Sequence, residues 1–267
     1  MFVRIKKAVL NERIKVPEYK GKLVVIEGAD GCGKTLATDL LVRRLRNCGF
    51  SVTQRDFPNY GKPPTGNPAS YFIRKYLCKH EFGFQNGYGP SVSVDPRVAS
   101  QFYALERYDA AYSQEPGDKP NLLDNLTSGY IVISNRYVES NLGHQGAKIK
   151  DPVARGDFMR WVVDLEYNFY KIPRPDLVIL LDIDPDLAIK AKREQRENQG
   201  LKKDGHEIDE DFIRASREAY LDAAELFKDN WEVVKVSFDS GVKVDFRETK
   251  DIQLDIWPCL TKHNVIR

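Results

Sequence analysis

The chain has 267 residues, 42% hydrophobic and 30% charged, the size and balance of one soluble α/β domain with a full core. Its 41 basic and 39 acidic residues leave a formal charge of +2, so no global field points to nucleic acid or a membrane, and any affinity for phosphate has to be local. Cys32, Cys48, Cys78 and Cys259 form no Cys-x-x-Cys pair, which argues against zinc or a disulfide framework, and with no leader-like or membrane-length apolar run the expectation is a cytoplasmic protein.

Residues 1–20 are mixed in charge and read as a covering hairpin or a loose arm. Short apolar runs then predict strands at 23–27, 52–57, 130–134, 177–182 and 231–236. Amphipathic stretches between them predict helices at about 34–47, 67–79, 97–113, 153–170, 185–198 and 209–228. Strands alternating with helices imply a parallel sheet covered on both faces. The Gly-rich, aromatic stretch 80–95 reads as an ordered insertion loop, and 240–267 as a tail of less certain structure.

The first strand runs into Gly28-Ala29-Asp30-Gly31-Cys32-Gly33-Lys34-Thr35, a Gly-x-x-x-x-Gly-Lys-Thr loop that opens a helix. Its glycines let backbone N–H groups turn inward on a nucleotide's phosphates, Lys34 reaches the β- and γ-phosphates, and the Thr35 hydroxyl is a ligand for Mg²⁺. Open α/β sheets bind ligands where their strands end at the carboxyl side, and these exits are polar or aromatic: 56–61, 135–141 and 182–185. Arg136 stands out, because a guanidinium fork facing a phosphate loop can clamp a second phosphate.

The phosphate loop with Glu27, Phe57-Pro58, Tyr103 through Arg107, Arg136-Tyr137 through Ser140-Asn141, Gln145-Gly146, Pro175-Asp176-Leu177 and Leu181-Asp182 together resemble the thymidylate kinase family, in the family's order, from about 20 to 236. The resemblance implies an α/β P-loop kinase: a doubly wound five-stranded parallel sheet of order 2-3-1-4-5, helices on both faces, and a mobile lid at about 190–208. The kinase domain would span 21–239, with 1–20 as an arm and 240–267 as an extension. The implied reaction is ATP-dependent phosphorylation of dTMP to dTDP with Mg²⁺, by a homodimer.

By the same resemblance, Gly28, Asp30, Gly31, Cys32, Gly33, Lys34 and Thr35 hold ATP, with lid residues Arg193 and Arg196 reaching over it. Asp30 bonds the deoxyribose 3′-hydroxyl, Tyr103 stacks on thymine, Arg107 donates to its O4, and Asn141 reads the N3 edge. Arg136, Phe57 and Tyr60 surround the acceptor phosphate, and His144 and Gln145 complete the substrate pocket, His144 near the sugar's 2′ position. The catalytic set is Lys34, Arg136, Arg193 and Asp30. An anionic phosphate needs no base to attack, so the site should supply cations aimed at both phosphates.

Two departures stand out. Where the family carries Asp-Arg-Tyr after the third strand, this chain has Asn135-Arg136-Tyr137, and the arm, insertion and tail lie outside the family's pattern. Asn135 leaves three alternatives open: reduced activity, another carboxylate that supports the metal, or an engineered substitution. Two rival readings stand beside the kinase. In one, a deoxynucleoside kinase uses Asp56 as a base toward a neutral 5′-hydroxyl. In the other, a nucleotide-binding protein has lost turnover. A switch GTPase is disfavoured, because the chain has no Asn-Lys-x-Asp segment.

Overall fold

The computed structural model describes residues 19–113, 120–198, 210–241 and 243–267. Most of the arm expected at 1–20 and of the lid expected at about 190–208 lies outside the described residues.

The first strand, β1 (Lys22–Glu27), runs into the phosphate loop and α1 (Lys34–Asn47). Then come β2 (Val52–Asp56), α2 (Tyr71–Tyr76), α3 (Pro96–Tyr112), α4 (Leu122–Thr127) and β3 (Ile131–Asn135). After β3 follow α5 (Pro152–Val163), β4 (Leu177–Asp182), α6 (Pro185–Asn198), α7 (Glu210–Leu226) and β5 (Trp231–Lys235). The chain closes with a hairpin, β6 (Ser237–Asp239) and β7 (Val244–Phe246), and α8 (Thr249–Lys262).

The sheet order is β2-β3-β1-β4-β5, with every neighbouring pair parallel, as expected. Because helices cover both faces, β1 is apolar from Leu23 to Ile26 and its alternation serves two cores. Val24 and Ile26 pack with Leu41, Leu45, Ile179, Ile256 and Leu260, whereas Leu23 and Val25 pack with Val132, Val178, Phe158, Met159 and Tyr220. The register sets Asp56 beside Asn135 and Asn135 beside Ile26, so three strand ends share one rim.

Several elements differ from expectation. The helix expected at 67–79 is a 3₁₀ turn, Pro68–Ser70, followed by α2, which stops before Cys78 takes a φ of 48°. The one at 153–170 is α5 continued by a wide π turn, Asp164–Phe169. The short α4 went unread, although Asn121 and Asp124 form a reciprocal capping box. The tail is ordered: α8 docks on α1 through buried Ile256 and Leu260, with Arg44 4.0 Å over the Trp257 ring. Among the described residues, no helix is long and apolar enough to cross a membrane.

Candidate active site

The phosphate loop turns where only glycine is comfortable. Gly28, Gly31 and Gly33 have φ of 148°, 89° and 85°, and a Cβ on Gly28 would lie 2.6 Å from the Leu181 carbonyl oxygen. Lys34 is buried, and its Nζ donates to the carbonyls of Gly28 at 2.8 Å and Ala29 at 2.9 Å. Burial and the nearby Arg136 lower its pKa. Cys32 is buried beneath the loop.

Arg136 leaves β3 with a φ of 68°, a left-handed conformation that costs a non-glycine residue about 1 kcal/mol. Its backbone N–H donates to Ile26 O at 3.0 Å and Ser134 Oγ donates to its carbonyl at 2.6 Å, bonds that hold this turn. The guanidinium then faces the phosphate loop. NH2 donates to Asp30 Oδ1 at 2.7 Å and NH1 to His144 Nε2 at 2.6 Å. Since arginine only donates, Nε2 accepts, the ring proton sits on Nδ1, and Nδ1 faces Ser216 Oγ at 3.3 Å. Burial and Arg136 push the His144 pKa down to about 3, so the ring is neutral at pH 7. Burial acts to raise the Asp30 carboxyl, but His144, Arg136, Lys34 and Lys192 hold it well below the usual range.

All nine residues expected to bind the acceptor line one cavity of about 410 Å³: Asp30, Phe57, Tyr60, Tyr103, Arg107, Arg136, Asn141, His144 and Gln145. Tyr103 meets Tyr76 edge-on, with ring centroids 6.2 Å apart. Burial pushes the Tyr60 phenol up to about 12, so it stays protonated. Gln145 Oε1 is a buried acceptor with no partner among the described residues.

The polar end of the cavity is organised by Glu166. It accepts from Arg107 Nε and NH2 at 2.6 Å each, and from Asn141 Nδ2 at 3.1 Å. Arg107 NH1 also donates to Tyr137 O at 3.2 Å, so three of its five N–H donors are spent inside the protein. Both Nδ2 bonds of Asn141, the second to Ser100 O at 3.2 Å, orient its amide and leave Oδ1 as the acceptor end. Glu27, fully buried, accepts from Tyr137 N, Ser140 Oγ and Tyr220 OH at 2.8 Å each and ties β1 to the turn after β3. In that turn a Cβ on Gly143 would sit 2.2 Å from the Tyr220 ring. Glu166 and Gly143 carry no local motif, and Glu27, although it adjoins the phosphate loop, has its partners on other elements.

On the adjoining rim, Asn135 Nδ2 donates to Asp56 Oδ1 at 2.9 Å and lies 3.4 Å from Thr35 Oγ1, while Asn135 Oδ1 is buried without a partner among the described residues. Asp56 does not line the acceptor cavity, although the phenylalanine and proline after it do. Asp182 accepts both Nε and NH2 of Arg217, at 2.6 and 3.0 Å, which locks α7 to β4.

On α6 the basic residues diverge. Lys192 Nζ donates to Asp30 Oδ2 at 3.2 Å and lines the cavity, whereas the exposed Arg193 pairs with Glu210 on α7. Sequence reasoning passed over Lys192 in favour of Arg193, because neighbouring bases on one helix differ only in the face they occupy. Arg196 belongs to the same helix.

A family model described as thymidylate kinase matches residues 26–243. Over 214 residues the chain is 30% identical to a probable thymidylate kinase of Pyrobaculum aerophilum, covering 80% of this chain and 88% of that protein. It is 29% identical over 228 residues to a thymidylate kinase of Ligilactobacillus salivarius, covering 85% and 95%. With a thymidylate kinase of Mycobacterium tuberculosis the identity is 27% over 222 residues, covering 82% and 94%.

Proposed function

This chain belongs to the thymidylate kinase family, and on that premise we propose that it transfers the γ-phosphoryl group of ATP to dTMP, releasing dTDP and ADP. The observation that carries the reading is the Arg136 guanidinium, held between Asp30 of the phosphate loop and His144 of the acceptor cavity. A cation fixed between the two phosphate sites is what this reaction requires. The attacking oxygen is already anionic, so the barrier is charge repulsion and misalignment, and no base is needed.

Lys34 is expected to leave the Gly28 and Ala29 carbonyls for the β- and γ-phosphates of ATP, since those carbonyls stand in for stronger anionic acceptors. Arg136 would hold the acceptor phosphate, with Asp30 and neutral His144 orienting the fork and Tyr60 donating from a phenol that stays protonated. Thymine would lie against Tyr103, its O4 taking an unspent Arg107 donor and its N3–H donating to Asn141 Oδ1. Asp30 also remains the proposed contact of the 3′-hydroxyl. Arg193 and Arg196 are the lid arginines proposed to swing over ATP on closure.

Mg²⁺ would neutralise charge on the β- and γ-phosphates. The rim fits it: the Thr35 hydroxyl as ligand, the unpartnered Asn135 Oδ1 as acceptor for a metal-bound water, and Asp56 supplying the negative charge that Asn135 lacks. A homodimer is supported by α3, where Val98, Leu105, Tyr108 and Tyr112 are each 40–46% exposed on one helical face. The free cysteines suit the reducing cytoplasm.

The deciding experiment is ADP release with Mg²⁺ across acceptors, dTMP and thymidine among them. Turnover with dTMP is expected; turnover with thymidine alone would overturn the reading. Arg136→Ala should abolish transfer while ATP still binds.

A further inference from the structure

The 80–95 stretch, read from the sequence as an insertion, falls within the span that the family model matches, and its Ser91 and Val92 line the acceptor cavity. Its seat is built from three sides. Tyr76 OH donates to Ser91 O at 3.0 Å. Lys148 Nζ donates to Ser91 O at 2.6 Å, to Val94 O at 3.0 Å and to Tyr76 OH at 3.0 Å. Away from the cavity, Tyr88 stacks on Phe102 of α3 with centroids 5.4 Å apart, and at Gly87 the backbone passes so close that a Cβ would lie 2.6 Å from Lys75 O.

The role of Lys148 follows from its donor count. An ammonium has three N–H groups, and all three are spent on these acceptors, so this cation is not free to grip a phosphate. It is attached instead through the 3₁₀ turn Gly146–Lys148, which directly follows the turn bearing Asn141, His144 and Gln145. The side chain therefore joins the insertion to the segment that reads the acceptor.

We propose that Lys148 is a positioning residue that straps the insertion across the base end of the acceptor cavity, making Ser91 and Val92 a closed wall that admits a one-ring nucleobase and rejects a purine. This rests on the assignment of that cavity to dTMP. A purine needs room for a fused second ring, and a wall tied at two carbonyls and backed by stacked aromatics cannot yield that room without breaking its bonds.

The test is steady-state kinetics of Lys148→Met, Lys148→Arg and Tyr76→Phe with dTMP and dGMP as acceptors. Lys148→Met should raise KM for dTMP about tenfold, leave KM for ATP within about twofold, and narrow the kcat/KM preference for dTMP over dGMP about tenfold. Lys148→Arg, which keeps charge and donors, should restore most of the loss. Tyr76→Phe should move KM for dTMP in the same direction, about threefold. Unchanged KM and acceptor preference in Lys148→Met would overturn the strap. Should that variant fail to fold by circular dichroism, Tyr76→Phe decides, and an unaltered KM for dTMP there overturns it. Tyr103→Ala is the control, expected to weaken dTMP and not ATP. If it too leaves dTMP unaffected, the cavity assignment fails and the strap with it; if only the strap variants are silent, the strap alone fails.

Discussion

Replacing Glu166 by Gln removes the carboxylate that pairs directly with Arg107 while keeping nearly the same volume. Both side chains are essentially inaccessible, at 1% and 0% exposure, and joined by two 2.6 Å bonds. Breaking such a buried pair from one side strands a guanidinium away from water, at a cost of about 3–5 kcal/mol. For a chain of this size that is a fall in Tm of about 10 °C. Glu166 also anchors Asn141, so two groups proposed to read thymine lose their aim together. Two misdirected hydrogen bonds amount to about 3 kcal/mol, or about 100-fold in kcat/KM for dTMP, with KM for ATP little changed.

Calorimetry and steady-state kinetics on Glu166→Gln measure both effects, and Arg107→Met/Glu166→Leu separates them. Apolar replacements of matched size remove the stranded charge, so the double variant should regain most of the lost stability. Its dTMP kinetics should remain about 100-fold down, because the donor to O4 is gone. A Glu166→Gln protein that melts within about 2 °C of the parent and keeps its KM for dTMP would refute the reasoning.

Gly143→Ala drives a Cβ to within 2.2 Å of the Tyr220 ring and should cost about 2–3 kcal/mol in chemical denaturation, with weakened dTMP binding; parental stability would show that the turn yields freely. Burial pushes the Glu139 carboxyl up to about 7 from 4.5, with Oε2 unpartnered among the described residues and Oε1 accepting from Tyr167 OH at 2.6 Å. The folded state therefore binds a proton that the unfolded state has released between these values. Its contribution, at most about 3 kcal/mol, is complete below pH 4.5 and lost as pH rises to 7. Glu139→Gln should flatten that part of the stability profile, and an unaltered slope would remove Glu139 as its source. His144 has the opposite sign: with its pKa lowered to about 3, its contribution is present above pH 6.5 and lost as pH falls through 3. Ring ¹⁵N shifts of the unliganded protein should show His144 neutral from pH 5 to 8, and a titration midpoint near 6.5 would contradict the proposed Arg136 contact.

The features legible in the sequence are those set by local chemistry. A phosphate loop states its function in eight consecutive residues, because backbone N–H groups, a lysine and a metal-binding hydroxyl of this motif serve one set of phosphates. The central strands β1, β3 and β4 could be read because a parallel strand covered on both faces is a largely continuous apolar run. The residues leaving them pointed to the cavity, because side chains at neighbouring strand ends converge on one rim. Ordered structure was missed where local signals were weak or opposed. Pro258 inside α8 reads as a breaker, yet Ile256 and Leu260 buried against α1 outweigh it. Short α4 is marginal by itself and exists because Leu122 and Leu126 are buried.

Tertiary structure alone decided how the site's charges are paired. Arg107 and Glu166 lie 59 positions apart, Arg136 and Asp30 106 apart, and Lys192 and Asp30 162 apart. No periodicity links such partners. The same holds for Lys148, whose three acceptors sit on α2 and the insertion, and for the choice between Lys192 and Arg193 on one helix. Residue type states which bonds a side chain can make. Which of them it makes depends on the strands and helices that meet at the rim, and on the cost of leaving a buried charge without a partner.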